Sequence, residues 1–145
     1  MPKARDIRPG QYRALAELRY QIRRFLTFSE EAARAAGVEP QQHQLLLVLK
    51  ALRTPEKPTV GLAAERLQIR HNSAVDLVKR SVERGLIERR TSPVDRREAS
   101  LRITAAGERV LRSLSLAHRS ELRSAAPTLL RSFEALLDGT KGGSA

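Results

Sequence analysis

Cysteine is absent from all 145 residues, which excludes a disulfide framework, a thiol nucleophile, a thiolate metal site and a cysteine redox switch. Aromatic residues reach only 3%, so a core must come from Ala and Leu, the composition of packed helices. No apolar run approaches the roughly 18 residues needed to cross a bilayer, and no apolar leader segment opens the chain. A soluble, cytoplasmic protein without membrane contact is expected. A phosphate-cradling glycine loop is lacking, and Ser, His and Asp never fall into a nucleophile motif, so neither an enzyme nor a cofactor is expected. Negative charge is scarce: 16 Asp and Glu stand against 27 Lys and Arg, for a net charge of +11. That imbalance favours a polyanionic partner, nucleic acid or an anionic membrane surface. An arginine-rich proteome would give the same excess, so charge alone does not choose.

Helical periodicity is present throughout. At 145 residues and 41% hydrophobic content, the chain is long enough for one domain with a buried core. From Gln11 to Ala36 neither proline nor glycine interrupts. Leu15, Leu18, Ile22 and Phe25 recur at helical steps, with Ala32 and Ala36 extending the row. This predicts a long helix, on the order of 39 Å at 1.5 Å per residue, whose narrow apolar seam suits pairing with other helices. "GVEP" (37–40) ends it, with Gly37 as the cap and Pro40 opening the next element.

"QQHQLLLVLKAL" (41–52) is apolar almost all round and is expected at the buried centre. After the loop "RTPEKP" (53–58), "TVGLAAERL" (59–67) predicts a short helix capped by Thr59. "QIRH" breaks the chain, and "NSAVDLVKRSVER" (72–84) predicts a second helix stopped by Gly85. "LIERRT" and "ASLRIT" predict two hairpin strands. Thr104 opens a final helical region carrying Leu111, Leu114, His118, Leu122, Leu129, Phe133 and Leu136. Pro127 is expected to split it into one helix before Ala126 and another from Pro127 to Asp138. The segments 1–9 and 139–145 are expected to lack structure, and no repeat or low-complexity stretch occurs.

Helix, short break, helix and hairpin in this order make a winged helix-turn-helix. The expected fold class is mainly α with a small β-hairpin wing (α+β). In such a unit the second helix enters the major groove, about 12 Å wide, with its N-terminal side chains at base edges. Those residues are Arg70, His71, Asn72 and Ser73. Behind them Ala74, Leu77, Val78 and Val82 are expected to pack onto Leu62, Ala63 and Leu67. Lys79, Arg80 and Arg84 continue along the helix, placed to meet phosphates. From Arg66 to Arg102 ten Lys and Arg stand against five Asp and Glu, the sign of a DNA-facing surface.

The hairpin tip "VDRREA" has a reading of its own. The minor groove beside a recognition helix, about 6 Å wide, receives inserted arginines. Arg97 is the candidate for insertion, Asp95 the residue that orients it, and Arg96 a contact to flanking phosphates. An Asp95–Arg97 pair could equally just tighten the turn, since exposed pairs contribute only about 0–1 kcal/mol.

"GLIERRTSPVDRREASLRITAAG" (85–107) resembles the wing signature of the MarR family of bacterial transcription regulators: Gly-Leu, an arginine, a loop, Asp-Arg-Arg, then Leu-x-x-Thr-x-x-Gly. "VEPQQHQLLLVLKAL" is similar to the family's second helix, and "TVGLAAERLQIRHNSAVDLVKRSVERGL" to its helix-turn-helix, so the resemblance runs from about Gln11 to Asp138. It implies a homodimer on a pseudo-palindromic operator in double-stranded DNA, acting as a repressor. A small anionic or phenolic effector would release the DNA. It further implies a dimerisation lobe from residues 10–36 and 108–138 beside a DNA-binding lobe over 40–107. Asp95 and Arg97 take the wing roles, and Asn72, Ser73 and Asp76 fall on the groove side. Ser81 departs from the family, which has a large apolar residue there, and the lack of cysteine excludes its thiol-oxidation branch.

Phe25, Phe28 and His43 are candidates for an effector pocket, though a core role fits each as well. His118 with Glu121 suggests a metal site only weakly, since no further paired ligand is near in sequence, and none is expected. Two other readings stay open. One is an architectural protein that binds duplex DNA without sequence preference. The other is a winged helix that docks a protein partner through its long helices.

Overall fold

The computed structural model describes residues 6–91 and 99–137. In chain order they form α1 (Pro9–Ala35), α2 (Pro40–Lys50), α3 (Val60–Leu67), α4 (His71–Glu83), β1 (Ile87–Thr91), β2 (Ala99–Ile103) and α5 (Ala105–Leu137). Local chemistry sets most of these boundaries. Gly37 ends α1 at φ +79, letting the Val38 N–H return to the Ala33 carbonyl at 3.1 Å. Thr59 caps α3 by accepting from the Leu62 N–H at 3.2 Å. Gln68 closes that helix in the left-handed region at φ 57, its side-chain amide donating to the Glu65 carbonyl at 3.0 Å. Gly85 at φ +77 stops α4 in the same way as Gly37 stops α1, and the Leu86 N–H reaches the Ser81 carbonyl at 3.0 Å.

The chain divides into two compact units, one drawn from Met1–Glu31 and Ala117–Ala145, the other Ala32–Leu116. The second unit holds α2, α3, α4 and the hairpin around one apolar cluster that includes Leu45, Leu46, Leu77, Val78 and Ile87. Within it α3 packs on α4 and α2, as a helix-turn-helix requires. The hairpin is antiparallel, with Ile87 opposite Ile103 and Thr91 opposite Ala99. It is fastened at its base. Leu101 N–H donates to the Pro58 carbonyl at 2.8 Å, and the Thr104 hydroxyl donates to the Gly85 carbonyl at 2.6 Å while accepting from Gly107 N–H at 3.0 Å. Gly107 seats the start of α5 so closely on Leu86 that an added Cβ would lie 2.2 Å from its carbonyl oxygen. The Thr-x-x-Gly at 104–107 is therefore a joint between hairpin and helix.

The first unit buries Ala14, His118 and Ser132. His118 Nε2 lies 2.8 Å from the Ser29 hydroxyl, and Phe25 and Phe28 meet its ring edge-on with centroids at 5.7 and 5.3 Å.

Three expectations are corrected. Pro127 does not split the last helical region: α5 runs unbroken through it. Both Pro127 and Arg123, whose carbonyl the proline leaves without its N–H donor, lie on the exposed side, where water can accept that role. Helix α2 is not buried all round, because only one face meets the core. Gln42, His43, Leu45 and Leu46 are buried, while Leu47 is 49% exposed. On α4 the buried stripe is Ala74, Leu77, Val78 and Ser81, with Val82 turned outward. Ser81 fills the core position by donating its hydroxyl to the Leu77 carbonyl at 2.7 Å, so no polar atom is stranded there.

Candidate nucleic-acid interface

The first turn of α4 is built to display side chains. Arg70 sits in extended backbone as the N-cap, and His71, Asn72 and Ser73 follow it, all exposed. Ala74, directly behind them, is 1% exposed and fixes that turn onto the core. Asp76 and Lys79 follow Asn72 at i+4 and i+7, which puts the three on one exposed face opposite the buried stripe. None of Arg70, His71, Asn72, Ser73, Asp76 or Lys79 is engaged by a partner among the described residues. A helix start offering an amide, a hydroxyl, an imidazole and cations, already desolvated on its back face, can meet base edges and phosphates without first breaking internal bonds.

The later half of α4 is arranged differently. Arg80 Nε donates to the Glu39 carboxylate at 3.1 Å, and Arg84 donates to the Gly37 carbonyl. Both side chains thus hold the α1–α2 corner, where an added Cβ on Gly37 would come within 3.1 Å of the Arg84 guanidinium. Other cations of this unit are also occupied. Lys50 pairs with Glu108 at 3.0 Å and Arg66 with Glu56 at 2.7 Å. Arg53 N–H donates to Glu56 at 3.1 Å, and this bond, together with the Arg66 guanidinium, holds the Glu56 carboxyl below its ordinary range. Reading Arg80 and Arg84 as phosphate contacts from helical position alone did not anticipate these partners, which lie 41 and 47 residues away in the chain.

The wing tip, with Asp95, Arg96 and Arg97, lies outside the described residues. Its base is described, and it carries Arg89, Arg90 and Arg102, all exposed and none held by a partner among the described residues. Sequence periodicity alone gives Arg89 and Arg90 no role, and it counts Arg102 only toward the local charge. The signal was available, because a hairpin with known ends has a register, and register assigns each arginine to a face.

Of the pocket candidates, Phe25 and Phe28 both pack on His118, and His43 is a 4%-exposed residue of α2 in the other unit. Among the described residues no group of three or more His, Cys, Asp or Glu could hold a metal ion. No described helix is long and apolar enough to cross a membrane.

Residues 36–98 match the family model described as MarR family. Solved structures share the architecture. A MarR family transcription regulator is 23% identical, covers 90% of this chain and 87% of its own, and superposes with a TM-score of 0.71. A mutant of MepR from Staphylococcus aureus bound to an oligodeoxyribonucleotide is 16% identical over 85% of this chain and 90% of its own, at a TM-score of 0.63. CouR from Rhodococcus jostii RHA1 bound to p-coumaroyl-CoA is 18% identical over 83% and 86%, at 0.62. At these identities the agreement is one of fold. No curated protein sequence matches.

Proposed function

Because residues 36–98 match the MarR family model, we propose that this chain is a cytoplasmic, sequence-specific DNA-binding transcription regulator. The observation that carries this is the first turn of α4, where Arg70, His71, Asn72 and Ser73 are exposed and unspent above a buried Ala74. In this reading Asn72 and Ser73 choose the sequence, Arg70, His71, Asp76 and Lys79 complete the groove face, and Arg80 adds a phosphate contact only by leaving Glu39. Arg97 enters the minor groove with Asp95 as its brace and Arg96 on the backbone. The MepR structure bound to an oligodeoxyribonucleotide, of the same fold, supports DNA binding as such.

The regulator acts as a homodimer on a pseudo-palindromic operator and represses. Its dimerisation lobe comes from 10–36 and 108–138, its DNA-binding lobe from 40–107. Exposed apolar side chains along both long helices support pairing: Leu15, Ile22 and Leu26 on α1, and Leu122, Leu130 and Phe133 on α5, are 40% to 60% exposed. Release by a small anionic or phenolic effector is part of the same proposal, supported by CouR with p-coumaroyl-CoA bound. Phe25, Phe28 and His43 remain its candidate contacts.

Sequencing the genomic fragments that the purified protein selects tests the reading. A shared inverted repeat is expected. Fragments without any common sequence would favour an architectural DNA-binding protein, and no retention of DNA would favour a protein-docking winged helix.

A further inference from the structure

The tip of a wing attracts attention because loops reach furthest, yet the described base of this hairpin holds a charge pattern of its own. Pairing sets Glu88 opposite Arg102 and Arg90 opposite Ser100. Directly paired residues share a face, so Glu88, Arg90, Ser100 and Arg102 form one side of the ribbon, and all four are exposed. The other side carries Ile87 and Leu101 into the core at 1% and 3% exposure. Arg90 and Arg102 are diagonal neighbours, with Cβ atoms on the order of 7–8 Å apart, close enough to repel and to reach two successive phosphates of one strand.

Glu88 faces Arg102 across the ribbon but no ion pair joins them, and neither arginine is engaged by any partner among the described residues. This sets them apart from Arg66, Arg80 and Arg84, each spent on a carboxylate or carbonyl. The ribbon that carries them is held still. Ser100 donates its hydroxyl to the Arg90 carbonyl at 3.3 Å, Leu101 is bonded to Pro58, and Thr104 to Gly85. Two unneutralised guanidinium groups on a fastened ribbon leave little backbone freedom for a ligand to remove on binding.

We infer that the outward face of the wing base is a phosphate-binding site, in which Arg90 and Arg102 grip the backbone of duplex DNA independently of the tip, and Glu88 moderates their affinity. The inference rests on the DNA-binding reading above and adds to it a site that carries no sequence information. Phosphate contacts of this kind strengthen binding to every sequence alike and show in its salt dependence, since log affinity falls by about 0.9 per neutralised phosphate for each unit of log salt.

The test compares wild type with the double variant Arg90→Gln, Arg102→Gln and with Glu88→Gln, on a genomically selected duplex and on a mixed-sequence duplex, across a salt series. The double variant is expected to bind both duplexes about ten-fold or more weakly at low salt, with a salt slope shallower by about 2 per subunit. Glu88→Gln is expected to bind both more tightly. All three side chains are exposed, so an unchanged thermal midpoint checks the fold. An unchanged slope in the double variant, or a loss confined to the selected duplex, would overturn the inference while leaving the DNA-binding reading intact. Wild type that binds neither duplex would overturn both.

Discussion

Two stretches of the same long helices behave in opposite ways. On α1, Ala33 is fully buried in the unit Ala32–Leu116, while Leu15, Ile22 and Leu26 in the other unit are 40% to 49% exposed. On α5, Leu111 and Leu114 are 4% exposed in the first of these units, whereas Leu130 and Leu137 in the other exceed half. The sequence signal is the same in both places, an apolar row at helical spacing. Its partner lies within the chain in one unit and is not supplied by the described residues in the other. An amphipathic row therefore specifies that something will cover it, and only the surrounding chain decides whether that cover is its own. Apolar faces left open over this length in a domain of this size are ordinarily interfaces.

The sharpest way to break the comparison is Leu122→Asp. If the open row is a dimer seam, a carboxylate placed there costs several kcal/mol of association, because a charge moves from water into an apolar contact. The expected outcome is a halved sedimenting mass at micromolar protein. A variant that remains dimeric, or wild type that sediments as a stable folded monomer, removes the seam. Leu77→Ala probes the closed unit instead. Leu77 is 1% exposed, so its truncation is expected to cost about 2–5 kcal/mol in equilibrium unfolding. That loss should not vary with protein concentration beyond the shift wild type itself shows, whereas the effect of Leu122→Asp should. Similar behaviour from both variants would mean that the two units are not distinct in how they are stabilised.

The elements fixed by short-range chemistry were legible. Thr59, Gly37 and Gly85 each satisfy or redirect backbone groups within a few residues, so their signals sit next to their effects. The features that escaped depend on distance or on a narrow choice of phase. Ser81 and Val82 both suit a helical stripe begun at Ala74, but it is Ser81 that is buried, its hydroxyl donating to the Leu77 carbonyl, while Val82 is 36% exposed. Pro127 reads as a break in isolation but is tolerated where the freed carbonyl faces water. The partners of Arg80 and Arg84 arrive from the α1–α2 corner, which no local pattern announces. The display turn Arg70–Ser73 was legible because polarity over a buried Ala74 is itself a local pattern. The arginine register of the wing base escaped, because the faces of Arg90 and Arg102 follow only from which residues the two strands pair.

The closed unit is also the one proposed to read DNA, and its packing is what makes a base contact specific. Asn72→Ala leaves Ala74 and the buried stripe untouched, so stability should hold. Affinity for a genomically selected duplex is expected to fall by about 1–3 kcal/mol, with far less change on mixed-sequence DNA. Titrations on both duplexes at matched salt measure the difference. An equal fall on both would make Asn72 a phosphate contact and move sequence choice elsewhere on the turn.

The smallest expected effect concerns how the closed unit fastens its surface. Glu56 accepts from Arg53 N–H and from Arg66, and both bonds favour the ionised carboxylate, so its pKa is lowered from 4.5. A carboxyl held low in the folded state binds protons less readily there than in the unfolded chain. Its contribution is therefore complete above the ordinary carboxylate value and fades as pH falls through the lowered one. Glu56→Gln should lower the thermal midpoint slightly near neutral pH, and the gap to wild type should close as pH falls below the ordinary carboxylate range. The Glu56 side chain is still 28% exposed, so water and salt screen it and the gap is modest. Thermal midpoints of both proteins across that range decide the matter. A gap that stays constant with pH would mean that the loop from Arg53 to Thr59 is held by the shape of the side chain and not by its charge, and one that widens in acid would contradict the sign of the shift.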